Sequence, residues 1–363
     1  MSSTEPVPYA AEPTPYAVPD TSGPYAAPPP LTFVVGTGRC GSTALSEVLR
    51  LHPDILSMSE LFTTLEPDAL PEQPLDGEEF WRLLASTRPF ADRMARDGAP
   101  LPEHLYAHAP GRFNPVDGVP AVCLTTLPHL TDDPDALYDA LRPVLTARPS
   151  GPVAGHYRAL FAELSARCGG YAVVERSGFS LALVPRLRRH FPEARFVHLH
   201  RGGPDCALSM SRHAGFQMIE FLGELVAREG PEAAARLGRL LDDDTFDLKG
   251  ALARPVPVER YGALWSRMIT EGLAHLDALP ADLRTSVAFE DLLDAPAREL
   301  ARLAAHFGVA PEPDWIAAAE RLLDGRRRGA SAYLPPDEGA ALRAACAPGT
   351  RALADRAASP GGG

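Results

Sequence analysis

"FVVGTGRCGSTALSEVL", residues 33–49, sets three local structures end to end. The β-rich run "LTFVVG" (31–36) ends in glycine and reads as a buried strand. "STALSEVLRLH" (42–52) spaces its apolar residues as a helix does. Between them, Gly36 and Gly41 stand at the spacing of a phosphate-cradling G-x-x-x-x-G-K-[ST] loop, but Ser42 holds the lysine position and Thr43 follows it. Gly36, Gly38 and Gly41 let the backbone take φ > 0 and approach an anion closely. The helix that follows offers unpaired N–H groups and the positive end of its dipole. Arg39, inside the loop, brings the charge that the missing lysine would have supplied. Gly38, Arg39, Cys40, Gly41, Ser42 and Thr43 form the first candidate anion-binding set. The plain alternative is a turn without a ligand, with Ser42 and Thr43 only capping the helix.

The rest of the composition narrows the ligand. The chain has 363 residues, 45% hydrophobic and 23% charged, as a globular protein does. A net charge of −12 and a pI near 5.4 argue against a nucleic-acid partner, which needs a basic footprint. Lys249 is the only lysine, so an anion site here must use guanidinium groups, backbone N–H groups and helix N-termini. The five cysteines are scattered and form no C-x-x-C pair, which argues against a disulfide framework or a zinc site. With no signal-peptide pattern and no bilayer-length apolar run, the expectation is a cytoplasmic protein without a membrane partner.

Residues 1–30, rich in Pro, Ala, Ser and Thr with a repeated Pro-Tyr-Ala, read as a disordered tail, and 348–363 as a second, flexible one. Between them strand and helix patterns alternate. "DILSMSE" (54–60), "YAVVERS" (171–177), "RFVHLHRG" (195–202) and "TSVAFEDLL" (285–293) are the further strand candidates. Short strands joined by helix-bearing crossovers predict an α/β fold with a central, mainly parallel sheet covered on both faces. Ligands of such sheets bind beyond the carboxyl ends of the strands. Residues 61–150 show no clear strand and read as a helical and loop insertion within a domain of residues 31–347, either a substrate-facing lid or a structural elaboration.

Four segments, in order, resemble the sulfotransferases. "GTGRCGSTALSEVLRLHPDILSMSEL" (36–61) looks like their 5′-phosphosulfate loop and "FVHLHRGGPDCALSM" (196–210) like their 3′-phosphate segment, a strand, an arginine and a serine eight residues on. "VVERSGFS" (173–180) and "YGALWSRM" with "VAFEDLLDAP" (261–268 and 287–296) complete the set. The resemblance implies a three-layer P-loop-like fold and 3′-phosphoadenosine 5′-phosphosulfate (PAPS) as donor to an acceptor hydroxyl or amine, with no metal, and the arginine bias and expected cytoplasmic location point to a small-molecule or glycoside acceptor. It assigns Arg201 and Ser209 to the 3′-phosphate and Arg176 to the cofactor. The glycine-flanked Arg326, Arg327 and Arg328 correspond to a late basic loop over the nucleotide. The family's Arg-Asp-Pro reads Arg201-Gly202-Gly203 here.

Catalysis needs a base for the acceptor proton. Glu60 stands at the end of the second strand, where the resemblance places a catalytic carboxylate, with Arg39 stabilising charge on the transferred group. The alternative for Glu60 is an N-terminal helix glutamate held by the dipole. His104, His108, His129 and His156 are competing bases. His52 reads as a helix end, and His198 and His200 as strand residues. Two other functions stay open: a P-loop kinase or NTPase, which needs a loop lysine and a Mg²⁺ ligand, and a phosphoadenosine-binding module without chemistry.

Overall fold

Five short strands, β1 (Leu31–Val35), β2 (Ile55–Ser59), β3 (Ala172–Ser177), β4 (Arg195–His200) and β5 (Arg284–Ala288), form one parallel sheet in the order β2-β3-β1-β4-β5. The computed structural model describes residues 29–358 apart from Pro110, Asp324, Arg326 and Arg327. The proposed N-terminal tail, except Pro29 and Pro30, and the assignments to Arg326 and Arg327 therefore lie outside the described residues. β1, β2 and β3 are buried along their whole length, as strands covered on both faces must be, whereas edge strand β5 buries only Thr285 and Val287. Phe33, Val35 and Phe196 pack with Phe62 and Phe191 on one face, and Val34, Val197 and Leu199 with Leu45, Leu49 and Phe307 on the other. The result is a three-layer α/β fold. Among the described residues no helix is long and apolar enough to cross a membrane.

Two sequence expectations need correction. The strand expected over 285–293 stops at Ala288, and Phe289–Asp294 is a helix with Glu290 and Asp291 in its first turn, where acidic side chains suit the dipole. The flexible tail expected from Pro348, and the domain end at 347, also fail: one helix runs Pro336–Ala358 through Pro348. Tertiary packing offsets the proline. Leu342, Cys346 and Gly349 are buried, and the Gly349 N–H donates to Ser266 Oγ at 2.7 Å on helix Val258–Asp277. A Cβ at Gly349 would lie 2.8 Å from Trp265 Cζ3 and 2.9 Å from the Ser266 Cα. Gly349→Ala therefore destabilises the fold by ~1–3 kcal/mol through overpacking. A chemical denaturation midpoint equal to that of the unaltered protein would contradict this close approach.

The topology gathers the chemistry at one edge. The glycine loop follows β1, Glu60 follows β2, Gly178 follows β3 and Arg201 follows β4, all at the strands' carboxyl ends.

Candidate active site

The loop after β1 turns through left-handed positions at Gly38 (φ 75°), Arg39 (φ 57°) and Gly41 (φ 94°) before helix Ser42–Arg50. Gly41 is the N-cap, so Ser42 and Thr43 lie inside the helix and do not cap it. Among the described residues, the only non-glycine residues with positive φ are Arg39 and Glu60 (φ 56°). Such conformations cost on the order of 1–3 kcal/mol each and persist where the surrounding structure enforces them. Here both residues face the same site.

Cys40 is fully buried in the core beneath the loop, and burial pushes its thiol up to about 11, so it can offer a ligand only its backbone. Arg39 Nε donates to Ser209 Oγ at 3.1 Å, joining two segments that lie 170 residues apart. Arg201 is buried at the start of the β4–helix crossover. Its Nη2 lies 3.3 Å from Asp205 Oδ2, and its guanidinium lies 5.8 Å from the Phe289 ring centre. The Asp205 carboxylate also accepts the N–H groups of Gly329 (2.6 Å) and Ser331 (2.9 Å). Against the burial that would raise it, these N–H groups and Arg201 hold Asp205 below the usual carboxylate range. Arg328 pairs with Asp294, one N–O distance being 2.7 Å.

Arg39, Ser42, Thr43, Arg201, Ser209 and Arg328 line one cleft of about 250 Å³, with Phe289, Leu293, Leu322 and Leu323 as its apolar wall. No carboxylate is among the described residues lining it. Guanidinium and hydroxyl donors beside an apolar slot suit a phosphorylated nucleotide. Arg176 does not belong to this cleft. It is buried, Nη1 pairs with Glu60 Oε1, and Nη2 donates to Ser59 Oγ at 2.5 Å. The contact it makes in this structure is with Glu60, because β3 sits beside β2 with Arg176 in register with Ser59.

A second cavity, of about 350 Å³, lies on the other side of the loop. Arg39, Ser42 and Thr43 line both. Glu60 faces it, and the Gly178 N–H donates to Glu60 Oε2 at 3.0 Å. Burial raises the Glu60 carboxyl above its ordinary value, opposed by Arg176 and the Gly178 N–H. Below it, burial pushes Glu175 up to about 7, while its Oε1 accepts from Leu61 N (3.0 Å) and Ser177 Oγ (2.7 Å). Much of the wall comes from the segment 61–150, including Thr63, Arg88, Phe90 and Leu124.

The sequence reading missed the pair His213–Glu103 in this cavity, with Nε2 and Oε2 3.1 Å apart. Nδ1 of His213 accepts the Gly215 N–H at 3.2 Å, so Nε2 carries the proton toward Glu103. Although burial acts to raise it, the hydrogen bond from His213 lowers the Glu103 carboxyl to about 2. No local motif signals this pair, since its members are 110 residues apart. Of the four competing histidines only His104 lines the cavity. His108 contacts the Leu101 carbonyl, His129 contacts Ser46 Oγ and His156 contacts the Leu75 carbonyl. His52 is held by the Ala310 carbonyl and the Trp315 ring. Lys249 lies on helix Leu248–Leu252 with its ammonium 3.4 Å from the Asp97 carbonyl, outside both cavities.

No curated protein matches the chain. Similar solved structures include the sulfotransferase domain of the Synechococcus PCC 7002 olefin synthase, 17% identical over 95% of this chain and 99% of that one, TM-score 0.46. A sulfotransferase domain from the curacin biosynthetic pathway is 16% identical over 87% and 96%, TM-score 0.46. A sulfotransferase from Alicyclobacillus acidocaldarius is 16% identical over 90% and 94%, TM-score 0.43. The family model for the sulfotransferase family matches residues 30–245, a span that holds the glycine loop, Glu60, Arg176, Arg201 and Ser209, and the chain belongs to that family.

Proposed function

We propose that the chain moves a sulfuryl group from PAPS to a hydroxyl of a small-molecule acceptor. The observation that carries this reading is the pair of cavities meeting at Arg39, Ser42 and Thr43, one rich in anion donors with no carboxylate among its described lining residues, the other mostly apolar in surface with a carboxylate at the junction. PAPS supplies the sulfuryl group when bound. Arg201 and Ser209 hold the 3′-phosphate, and Phe289 with the leucines beside it covers the base. Arg39 and the loop N–H groups stabilise charge at the reacting centre, where preorganised donors act most strongly. Glu60 accepts the proton of the acceptor hydroxyl, and Arg176 fixes its orientation. The residues of 61–150 that wall the second cavity shape acceptor binding. All five cysteines are free thiols, the state that a reducing compartment maintains, which supports a cytoplasmic location.

Calorimetry with 3′,5′-bisphosphoadenosine (PAP), then incubation with sulfur-labelled PAPS and a panel of small alcohols and phenols, tests the reading. Binding and label transfer are expected. Failure to bind PAP together with tight binding of ATP and Mg²⁺ would favour the kinase alternative. PAP binding without any transfer would favour a binding module.

A further inference from the structure

Among the described residues, every carboxylate lining the second cavity has a side-chain partner: Glu60 pairs with Arg176, Glu66 with Arg186 at 2.7 Å, and Glu103 accepts a hydrogen bond from His213 at 3.1 Å. Two guanidinium groups line the same cavity. Arg39 also lines the donor cleft and is engaged with Ser209. Arg88 makes no ion pair among the described residues. Its Nη2 donates to the Leu65 carbonyl at 3.2 Å, and its Nε is buried without a hydrogen-bond partner. Two further buried polar atoms on this wall, Thr63 Oγ1 and His104 Nδ1, also lack a partner. Unmatched buried polar groups are rare in folded proteins because each forfeits its hydration. A partly buried guanidinium with no carboxylate in ion-pair contact is costly by the same argument. Burial lowers the Arg88 pKa, opposed by the charges of Asp68, Tyr157 and Glu66, none of which makes an ion pair with it. Phe90, Leu101, Phe179, Phe216, Met218 and Ile219 give the wall its apolar surface, and the Thr64 and Thr125 hydroxyls on it bond each other at 3.3 Å.

We propose that Arg88 is an anion-recognition residue for the acceptor, and that the acceptor is a small hydroxylated molecule with an apolar body and an anionic group, a carboxylate or a phosphate ester. This rests on the sulfuryl-transfer reading. The hydroxyl lies toward Glu60 and the loop, the apolar body fills the space between the aromatic and aliphatic walls, and the anion meets the guanidinium fork. Arg88 takes no part in the transfer itself, so it sets acceptor affinity and discrimination.

The test is equilibrium binding to the PAP-loaded protein of 4-(hydroxymethyl)benzoate and 8-hydroxyoctanoate, each against its methyl ester, with 4-(hydroxymethyl)phenyl phosphate as the phosphate arm. At least one anionic probe is expected to bind about 10–100-fold more tightly than its neutral counterpart, the range for a charge-assisted hydrogen bond. Whether the carboxylates or the phosphate bind better identifies the anion. In Arg88→Gln this preference collapses while PAP affinity and ester binding are unchanged. Arg88→Lys retains part of it, which a purely structural role would not predict. If Arg88→Gln fails to fold, the acid-against-ester comparison on the unaltered protein still decides. Equal binding of both acids and their esters with no tighter binding of the phosphate, an unchanged preference in Arg88→Gln, or no binding of any probe to a protein that does bind PAP overturns the inference and leaves the donor assignment standing. Absence of PAP binding overturns the donor assignment and the inference with it.

Discussion

Glu60→Gln lowers kcat by about 10²–10⁴-fold, the usual contribution of a positioned general base, with PAP affinity nearly unchanged. The glutamine still accepts the Gly178 N–H, so the local backbone is held, but it no longer takes a proton. The substitution also strips Arg176 of its counter-charge in a site where Arg176 is 4% exposed. Breaking a buried pair from one side costs ~3–5 kcal/mol, so the single variant is less stable as well as less active. The double variant Glu60→Gln with Arg176→Gln separates the two effects: stability recovers and activity does not. Recovery of both would mean that Glu60 serves only to neutralise Arg176. The pH profile gives a second check. A base must be ionised to act, so activity falls as pH drops through the carboxyl's pKa. Burial raises that value for Glu60, with Glu175 at about 7 beside it, so the acid limb lies above the ordinary carboxylate range. In Glu60→Gln the residual activity loses this limb. A limb that stays in place in the variant assigns the proton to another group, with His104 the first to test.

What could be read from the sequence was what local chemistry dictates. Buried strands announce themselves as short apolar runs, and the loop by glycines at fixed spacing, so β1 to β4 and the glycine loop followed from neighbours in the chain, whereas Arg201 and Ser209 were singled out only by the family resemblance. The position of Arg176 did not follow, because alternation along β3 says that Glu175 and Arg176 face opposite sides but not which strand lies next to them. Only the order β2-β3-β1 puts Arg176 opposite Ser59 and hence against Glu60. Glu103, His213 and Arg88 were invisible for a related reason: each becomes informative through partners, or a missing partner, that the fold supplies. The helix through Pro348 shows packing overriding propensity, since the glycine beside that proline permits an approach to Trp265 that no single-residue preference encodes.

Arg201→Ala weakens PAP binding by about 30- to 1,000-fold, the range for removing one partner of a buried charge-assisted contact. Adenosine 5′-phosphosulfate, which lacks the 3′-phosphate, is the control, and its affinity is expected to change by less than about threefold because it offers Arg201 no phosphate to lose, and groups that share no partner act nearly independently. The selectivity between the two ligands therefore collapses, and that ratio, rather than the affinity itself, identifies what Arg201 reads. The geometry supports a specific rather than a general loss. Asp205 keeps the N–H groups of Gly329 and Ser331 after Arg201 is removed, so the backbone at 329–331 stays anchored to helix Gly203–Ser211. Arg201→Lys restores charge without the planar fork and recovers only part of the affinity. Ser209→Ala removes a neutral hydroxyl and releases Arg39 Nε, so its loss is smaller, about 3- to 10-fold, for a single hydrogen bond. Equal losses of PAP and adenosine 5′-phosphosulfate in Arg201→Ala would assign the arginine to the 5′ end of the nucleotide, and the 3′-phosphate would then fall to another arginine, Arg328 being the further one that lines the cleft among the described residues.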